Sequence, residues 1–150
     1  YGPTGGRNAN REPTVAFTHD TELEFWVKRG DALRRYHNTM GPDGHPAYYP
    51  WRAKTYSNSS LDNMVKQWHS IEYSFKLMDM NAKQMGVNYT RVGMFRNDAM
   101  YVTPIDIAML DKGVMDAHNH YVVVAPFARM PVNDRMIYGP YEGVKIWATA

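Results

Sequence analysis

The stretch YTRVGMFRNDAMYVTPID, residues 89–106, predicts the centre of the fold. Residues 92–95 form a short apolar run with few charges, which is typical of a strand inside a sheet. The run ends at three consecutive polar residues, Arg96, Asn97 and Asp98. Because open α/β sheets bind ligands beyond the ends of their strands, we expect a site centred on Asp98.

Helical and extended patterns alternate along the chain. Apolar residues recur at three- and four-residue intervals over about 61–85, which predicts a long helix capped by Ser59 or Ser60 and ended by Gly86. Further helices are predicted at about 22–36, 107–112 and 141–149, and extended segments at 14–18, 100–102, 121–125 and 136–138. The alternation predicts an α/β fold, with a mixed and mostly parallel sheet flanked by helices on both faces.

The helix predicted at 22–36 has one apolar face. Thr21 or Asp20 is placed to cap it. The apolar residues at helical spacing are Leu23, Trp26, Val27, Leu33 and Tyr36. We expect this face to pack against the rest of the domain.

Size and composition are those of one globular domain of 150 residues. Residues 1–13 are rich in glycine, asparagine, arginine and proline and predict a flexible arm, whereas residues 14–150 predict a single α/β domain. The formal net charge is +2, with acids and bases interspersed, which argues against nucleic acid as a partner. The chain contains no cysteine, which excludes disulfides and cysteine metal sites.

Several features bear on where the protein works. No apolar run approaches the roughly 18 residues of a membrane span, so we expect membrane attachment only through a segment absent from this chain. Because the chain begins at Tyr1 and stops at Ala150 inside a predicted helix, we expect it to be part of a longer protein. Two sequons, at Asn58 and Asn88, predict glycosylation if the protein passes through the secretory pathway.

A second polar triplet is similar to the first. Asn133, Asp134 and Arg135, like residues 96–98, place an acid beside an arginine. If the two strands are neighbours, both triplets gather at one edge of the sheet. One carboxylate can then hold a divalent cation, which with an arginine neutralises a diphosphate, and the other can act as a base. The alternative, in which each aspartate pairs with its neighbouring arginine to hold a loop, is favoured by spacing alone.

The order of these motifs resembles one family. Residues 63–68 open the long helix, a strand ends in residues 96–98, the run 101–105 follows, and residues 133–135 precede Gly139. Over residues 48–149 this arrangement is similar to the later part of nucleotide-sugar glycosyltransferases of the GT-A type, in a poorly characterised group with an Arg-x-Asp motif. The resemblance implies a Rossmann-like GT-A fold. No nucleoside-binding strand–helix unit precedes Glu12, so this unit lies in a missing N-terminal part or the chain is a reduced relative.

The resemblance implies roles for the first triplet. GT-A enzymes end a central strand with an Asp-x-Asp motif that binds Mn²⁺ or Mg²⁺ and the sugar nucleotide. Here arginine replaces the first acid, so Asp98 is the remaining candidate metal ligand, and Arg96 and Asn97 would hold the diphosphate with it. Arg96 could also supply the positive charge that a cation supplies elsewhere. The implied partner is a nucleotide-sugar donor.

The same resemblance places the second triplet on the acceptor side. Asp134 would be the catalytic base or would anchor the acceptor, oriented by Asn133 and Arg135. Gln67, on a polar face of the long helix, would contact the donor or the acceptor. The implied activity moves a sugar to a hydroxyl of a glycan or protein acceptor, in the secretory pathway or the Golgi lumen.

Two other functions remain open from the sequence. Residues 48–56 crowd four aromatic side chains with two basic ones and could serve a non-catalytic carbohydrate- or protein-binding α/β module. A metallohydrolase built on His19, His118 and His120 ranks last, because no coherent ligand set accompanies these histidines.

Overall fold

The computed structural model describes residues 19–48, 57–115, 121–126 and 134–149. The elements follow in the order α1 (Glu22–Asn38), α2 (Asn58–Met85), β1 (Arg91–Phe95), α3 (Ile107–Met115), β2 (Val123–Val124), β3 (Met136–Pro140) and α4 (Tyr141–Thr149). The predicted mixture of helices and strands is therefore confirmed. The predicted arm at 1–13 and the predicted strand at 14–18 lie outside the described residues.

The two long helices have the termini that their end residues dictate. At the start of α1, Thr21 and Glu24 form a capping box, in which the Thr21 N–H donates to the Glu24 carboxylate at 2.7 Å. Ser57 caps α2, so this helix begins earlier than predicted. Gly86 ends it in the left-handed conformation, with φ of 63°, as the sequence predicts. None of the helices in the described ranges is long and apolar enough to cross a membrane.

The face of α1 that packs against α2 agrees with the predicted one only in part. Phe25 and Leu33 are buried, whereas Leu23 and Val27 are exposed. The Phe25 ring meets the His69 ring of α2 edge-on, with the ring centroids 5.3 Å apart. Leu33 was predicted correctly, but Leu23 and Val27 were not, because apolar residues on both sides of α1 satisfy helical spacing and spacing alone does not say which side meets a neighbour.

The sheet of the described residues has the order β1-β3-β2, and both strand pairs are antiparallel. This differs from the mostly parallel sheet expected from the sequence. α3 does connect β1 to β2, and these two strands run in the same direction, as a βαβ unit requires. β3 lies between them and pairs with both, which makes the unit a split βαβ.

Three local predictions need correction. Residues 100–102 form no strand, and Met100 and Val102 are exposed. β2 has two residues where five were predicted. β3 extends beyond its predicted end at residue 138 through Gly139 and Pro140, and α4 begins directly after Pro140. A proline at the end of a strand removes little ladder bonding, so it does not prevent pairing.

Helices cover both faces of the sheet, as predicted. On one face, Val92 and Ile137 pack with Phe75 of α2 and Val144 of α4, and Ile137 and Val144 are fully buried. On the other face, the Tyr138 hydroxyl donates to Asp111 of α3 at 2.8 Å. This arrangement fixes α2 beside β1, and the candidate site lies between them.

Candidate functional site

Asp134 and Arg135 lie beside Arg96, at the end of the sheet where β1 stops and β3 begins. Because β3 runs antiparallel to β1, Met136 pairs with Phe95, and the residues before β3 flank the residues after β1. The backbone N–H of Arg96 donates to the backbone carbonyl of Arg135 at 2.9 Å. The two motifs therefore meet through antiparallel pairing, and not through two parallel strands that end at one edge.

Arg96 is the centre of the site. Its guanidinium forms a two-pronged ion pair with Asp98, with N–O distances of 2.5 and 2.8 Å. Its Nη1 donates to Asp134 Oδ2 at 3.0 Å and to Gln67 Oε1 at 3.2 Å. A guanidinium can serve several acceptors at once because its donors lie in a rigid fork. Arg96, which directly follows β1, is thus linked to Gln67 of α2 and to Asp134.

Asp134 is held from three sides. Gln67 Nε2 donates to Asp134 Oδ2 at 2.6 Å, beside the contact from Arg96. Arg135 Nη1 lies 3.4 Å from the other oxygen, Oδ1. Gln67 thus accepts from Arg96 and donates to Asp134, which fixes the orientation of its amide. We call these five residues the Arg96 cluster: Gln67, Arg96, Asp98, Asp134 and Arg135.

The Arg96 cluster is balanced in charge and partly open to solvent. Its two arginines offset its two aspartates. The Arg96 guanidinium holds the pKa of Asp98 below its ordinary value, and the same pairing raises the pKa of Arg96. The Asp98 side chain is 61% exposed and that of Asp134 is 26% exposed. The pairs are those that the loop-holding alternative predicts, yet ion pairs this exposed contribute little to stability and can exchange for a ligand.

A groove of about 700 Å³ extends from the Arg96 cluster between α2 and β1; we call it the α2–β1 groove. Beyond the polar end, its wall is mainly apolar, formed by Ile71, Phe75, Met78, Val92 and Met94. Ser70 and Ser74 of α2 and the exposed Phe95 also line it. The groove therefore offers charged and amide groups at one end and apolar surface along its length.

Asp98 suits a divalent cation only if other ligands complete the coordination shell. Among the described residues, no group of three or more His, Cys, Asp or Glu side chains is arranged to hold a metal ion. Asp98 offers one carboxylate, and both of its oxygens bind Arg96. Mg²⁺ often binds through one or two carboxylates and completes its shell with water and substrate phosphates. Asp98 therefore suits a cation that arrives with a diphosphate, and not one held by these residues alone.

Of the remaining predicted site residues, Asn97 lies at the groove and the others fall mostly outside the described residues. Asn97 is exposed and lines the α2–β1 groove. Asn133 lies outside the described residues, as do His118, His120 and most of the aromatic stretch 48–56. Sequence reasoning also missed a contact from Tyr101, whose hydroxyl donates to the Arg135 carbonyl at 2.7 Å. Nothing in the sequence indicated this contact beyond the presence of an aromatic residue, Tyr101, shortly after Asp98.

A second polar network, unnoticed in the sequence, joins α1 to α2. His69 is 7% exposed. Arg29 Nε donates to His69 Nδ1 at 3.1 Å, so the ring proton lies on Nε2 and is donated to Asp20 at 2.7 Å. Arg29 also binds Glu72, and Lys28 binds Asp20 at 2.8 Å. We call these residues the His69 network: Asp20, Lys28, Arg29, His69 and Glu72.

Comparison with known proteins assigns no family. No protein-family model, curated protein or solved structure matches the chain. The resemblance to GT-A glycosyltransferases therefore stays a prediction, and function has to be argued from the Arg96 cluster and the groove beside it.

Proposed function

We propose that this chain is a glycosyltransferase-like domain, which moves a sugar from a nucleotide-sugar donor to a hydroxyl acceptor in the α2–β1 groove. One observation carries the proposal: Gln67, Arg96, Asp98 and Asp134, which come from three separate parts of the sequence, line the same groove. The proposal includes a larger GT-A sheet, mostly parallel, whose nucleoside-binding strand–helix unit belongs to a longer chain.

The charge of the Arg96 cluster supports binding of the donor together with a cation. A nucleotide-sugar diphosphate carries about two negative charges, and the cluster is already neutral. A diphosphate alone would leave these charges unbalanced, whereas a diphosphate with Mn²⁺ or Mg²⁺ adds none. Asp98 would hold the cation, and Arg96 and Asn97 would hold phosphate oxygens. When bound, the cation neutralises charge that develops on the diphosphate leaving group.

Asp134 is the proposed base. Its Oδ2 accepts from Gln67 and Arg96. Within the described residues, Oδ1 has the 3.4 Å contact with Arg135 alone and keeps capacity for an acceptor hydroxyl. In the reaction the hydroxyl oxygen bonds to the sugar anomeric carbon, the bond from that carbon to the diphosphate breaks, and the diphosphate leaves with the electron pair. The hydroxyl proton passes to Asp134. Gln67 and Arg135 act as positioning residues, and Asn133 is proposed to assist them.

The setting proposed for this reaction is the secretory pathway, including the Golgi lumen. The exposure of Asn88 supports this setting, because a sequon has to be accessible to carry a glycan. Asn88 lies in the connection between α2 and β1. Membrane attachment, if the parent protein has it, is proposed to come from a segment outside this chain.

Calorimetric titration with UDP and GDP, with and without Mn²⁺, tests donor binding. We expect binding of one nucleotide that requires the cation, and Asp98→Asn should weaken it at least tenfold, or about 1.4 kcal/mol. Asp31→Asn is the matched control, because Asp31 also pairs with an arginine but lies on α1 with 87% exposure of its side chain. No binding of either nucleotide contradicts the proposal, and binding unaffected by Asp98→Asn removes Asp98 from it.

A non-catalytic protein- or carbohydrate-binding module is the second candidate. It is favoured by the apolar wall of the α2–β1 groove and by the ion pairs that already engage the carboxylates of Asp98 and Asp134. Such a module would bind its ligand equally well with and without a nucleotide, and it would release no sugar from a nucleotide-sugar donor.

A further inference from the structure

β1 is an outer strand of the sheet that the described residues form. The order β1-β3-β2 leaves one long side of β1 without a strand partner in this part of the chain. An outer strand presents backbone N–H and C=O groups that can pair with another extended segment. The backbone groups on the outer side of β1 therefore determine how an extended segment can pair with it.

The register shows which backbone groups point outward. Arg96 N–H donates to the Arg135 carbonyl, so this pair is hydrogen-bonded. Bonded and non-bonded pairs alternate along antiparallel strands, which turns the groups of Met94 towards β3 and those of Gly93 and Phe95 away from it. Gly93 and Phe95 together present two donors and two acceptors on the outer side.

The α2–β1 groove runs along this outer side. Its lining on α2 extends from Gln67 to Met78, roughly 16 Å at 1.5 Å per residue. The five residues of β1 span roughly 17 Å at 3.4 Å per residue. The two walls thus have nearly the same length, and this length matches an extended segment of about five residues.

Gly93 lies in the middle of β1 and leaves room for a neighbouring ring. It has no side chain, and the Phe95 ring lies close over it: a Cβ at Gly93 would be 2.8 Å from Phe95 Cε2. On either side of Gly93, Val92 and Met94 turn towards α2 and pack in one cluster with Phe75 and Met78, which suit apolar side chains. An added segment would therefore place alternate apolar residues against α2, since alternate side chains of a strand share one face.

We propose that the acceptor is a protein segment that adds to β1 as a further strand. Its backbone pairs with Gly93 and Phe95, its alternate apolar side chains contact α2, and a serine or threonine hydroxyl at its end reaches Asp134 in the Arg96 cluster. The hydroxyl part of this inference rests on the proposed transferase function. The strand addition stands independently of it, because main-chain hydrogen bonds supply the binding.

N-methylated peptides test the strand addition directly. The probe is an acetylated, amidated heptapeptide in which valine alternates with threonine. Methylation of alternate amides along one edge removes the donors that face β1, and methylation along the other edge leaves them. We expect the unmodified peptide to bind the full chain, one methylated form to bind at least tenfold more weakly, and the other to bind nearly as well as the unmodified peptide.

Substitution of Phe95 gives the matching test on the protein. Phe95→Pro removes one outward N–H, whereas Phe95→Ala keeps it and removes the same ring. We expect Phe95→Pro to bind the peptide several-fold more weakly than Phe95→Ala. The methylated peptides decide the question if Phe95→Pro does not fold.

The outcomes separate this inference from the transferase proposal. If both methylated peptides bind as well as the unmodified one, or no peptide binds, strand addition is wrong. If binding appears only after Val15→Asp and Phe17→Asp, residues 14–18 of this chain are the occupant and a partner segment is not. If the peptides discriminate as expected but no nucleotide binds, strand addition stands and the transferase function falls.

Discussion

Two polar networks contact α2, and they differ in the burial and hydrogen-bond pairing of their key side chains. Gln67 belongs to the Arg96 cluster, and His69, two residues later and roughly 200° around the helix, belongs to the His69 network. His69 is 7% exposed and uses both ring nitrogens, whereas Asp98 of the other network is 61% exposed. The arginines of the two networks are similarly exposed, Arg29 at 35% and Arg96 at 33%, so the contrast rests on the buried imidazole of His69 and the exposed carboxylate of Asp98. A buried group with both donors and acceptors matched holds helices together, whereas an exposed carboxylate beside a groove can change partners.

The His69 network shows what a closed arrangement requires. Arg29 shares its donors between His69 and Glu72, and Asp20 accepts from both His69 and Lys28. These contacts join the start and middle of α1 to α2. Loss of one member leaves its neighbours with unmet bonds in a part-buried place, which costs more than the net value of one hydrogen bond.

His69→Ala should have the largest effect on stability. We expect it to lower the free energy of unfolding by about 3 kcal/mol, because it removes two hydrogen bonds and the ring contact with Phe25. Gln67→Ala should lower it by less than about 1 kcal/mol, because its partners reach solvent. Urea unfolding of the two variants measures the difference. Equal losses would show that the two networks do not differ as described.

Arg96→Lys should separate binding from stability. Lysine keeps the charge but loses the fork that serves Asp98 and Asp134 together. We expect a change of less than about 1 kcal/mol in the free energy of unfolding, and at least a tenfold loss in affinity for the nucleotide with Mn²⁺. Urea unfolding and calorimetry on the same preparation provide both values. A large loss of stability with unchanged affinity would assign Arg96 to the closed kind of network.

The pH dependence of stability offers a smaller test, through the part-buried hydrogen bond of Tyr141. Its hydroxyl donates to Asp79 at 2.7 Å, and this bond, with burial, raises the pKa of Tyr141 to about 12. Because the unfolded pKa is about 10, the contribution to stability is complete below pH 10 and is lost as pH rises towards 12. Tyr141→Phe should therefore show a shallower alkaline fall in stability than the unchanged protein, measured by urea unfolding across this range. Parallel alkaline falls would contradict the raised pKa.

Local signals predicted the elements that depend on near neighbours. Thr21, one of the two predicted caps, marks the start of α1, and Gly86 marks the end of α2, because caps act within one turn. The long apolar period likewise predicted α2. The direction of the strands was not predictable in this way, since short apolar runs look alike in parallel and antiparallel sheets. That β3 lies between β1 and β2 depends on contacts distant in sequence.

The same distinction applies to the polar residues. Arg96, Asp98 and Asp134 stood out because each of two polar triplets contains an acid and an arginine. His69 carries no such pattern, and its partner Asp20 lies 49 residues away. A lone histidine on a helix gives no sign of its partners, so the closed network could be found only from the fold.

An amide NMR titration with UDP or GDP and Mg²⁺ tests most directly the claim that the Arg96 cluster opens to a ligand while the His69 network stays closed. The account predicts that signals of Arg96, Asp98 and Arg135 move in a saturable manner with one of the nucleotides, and that those of Asp20 and His69 do not move. No movement with either nucleotide, or movement of equal size at His69, would contradict it.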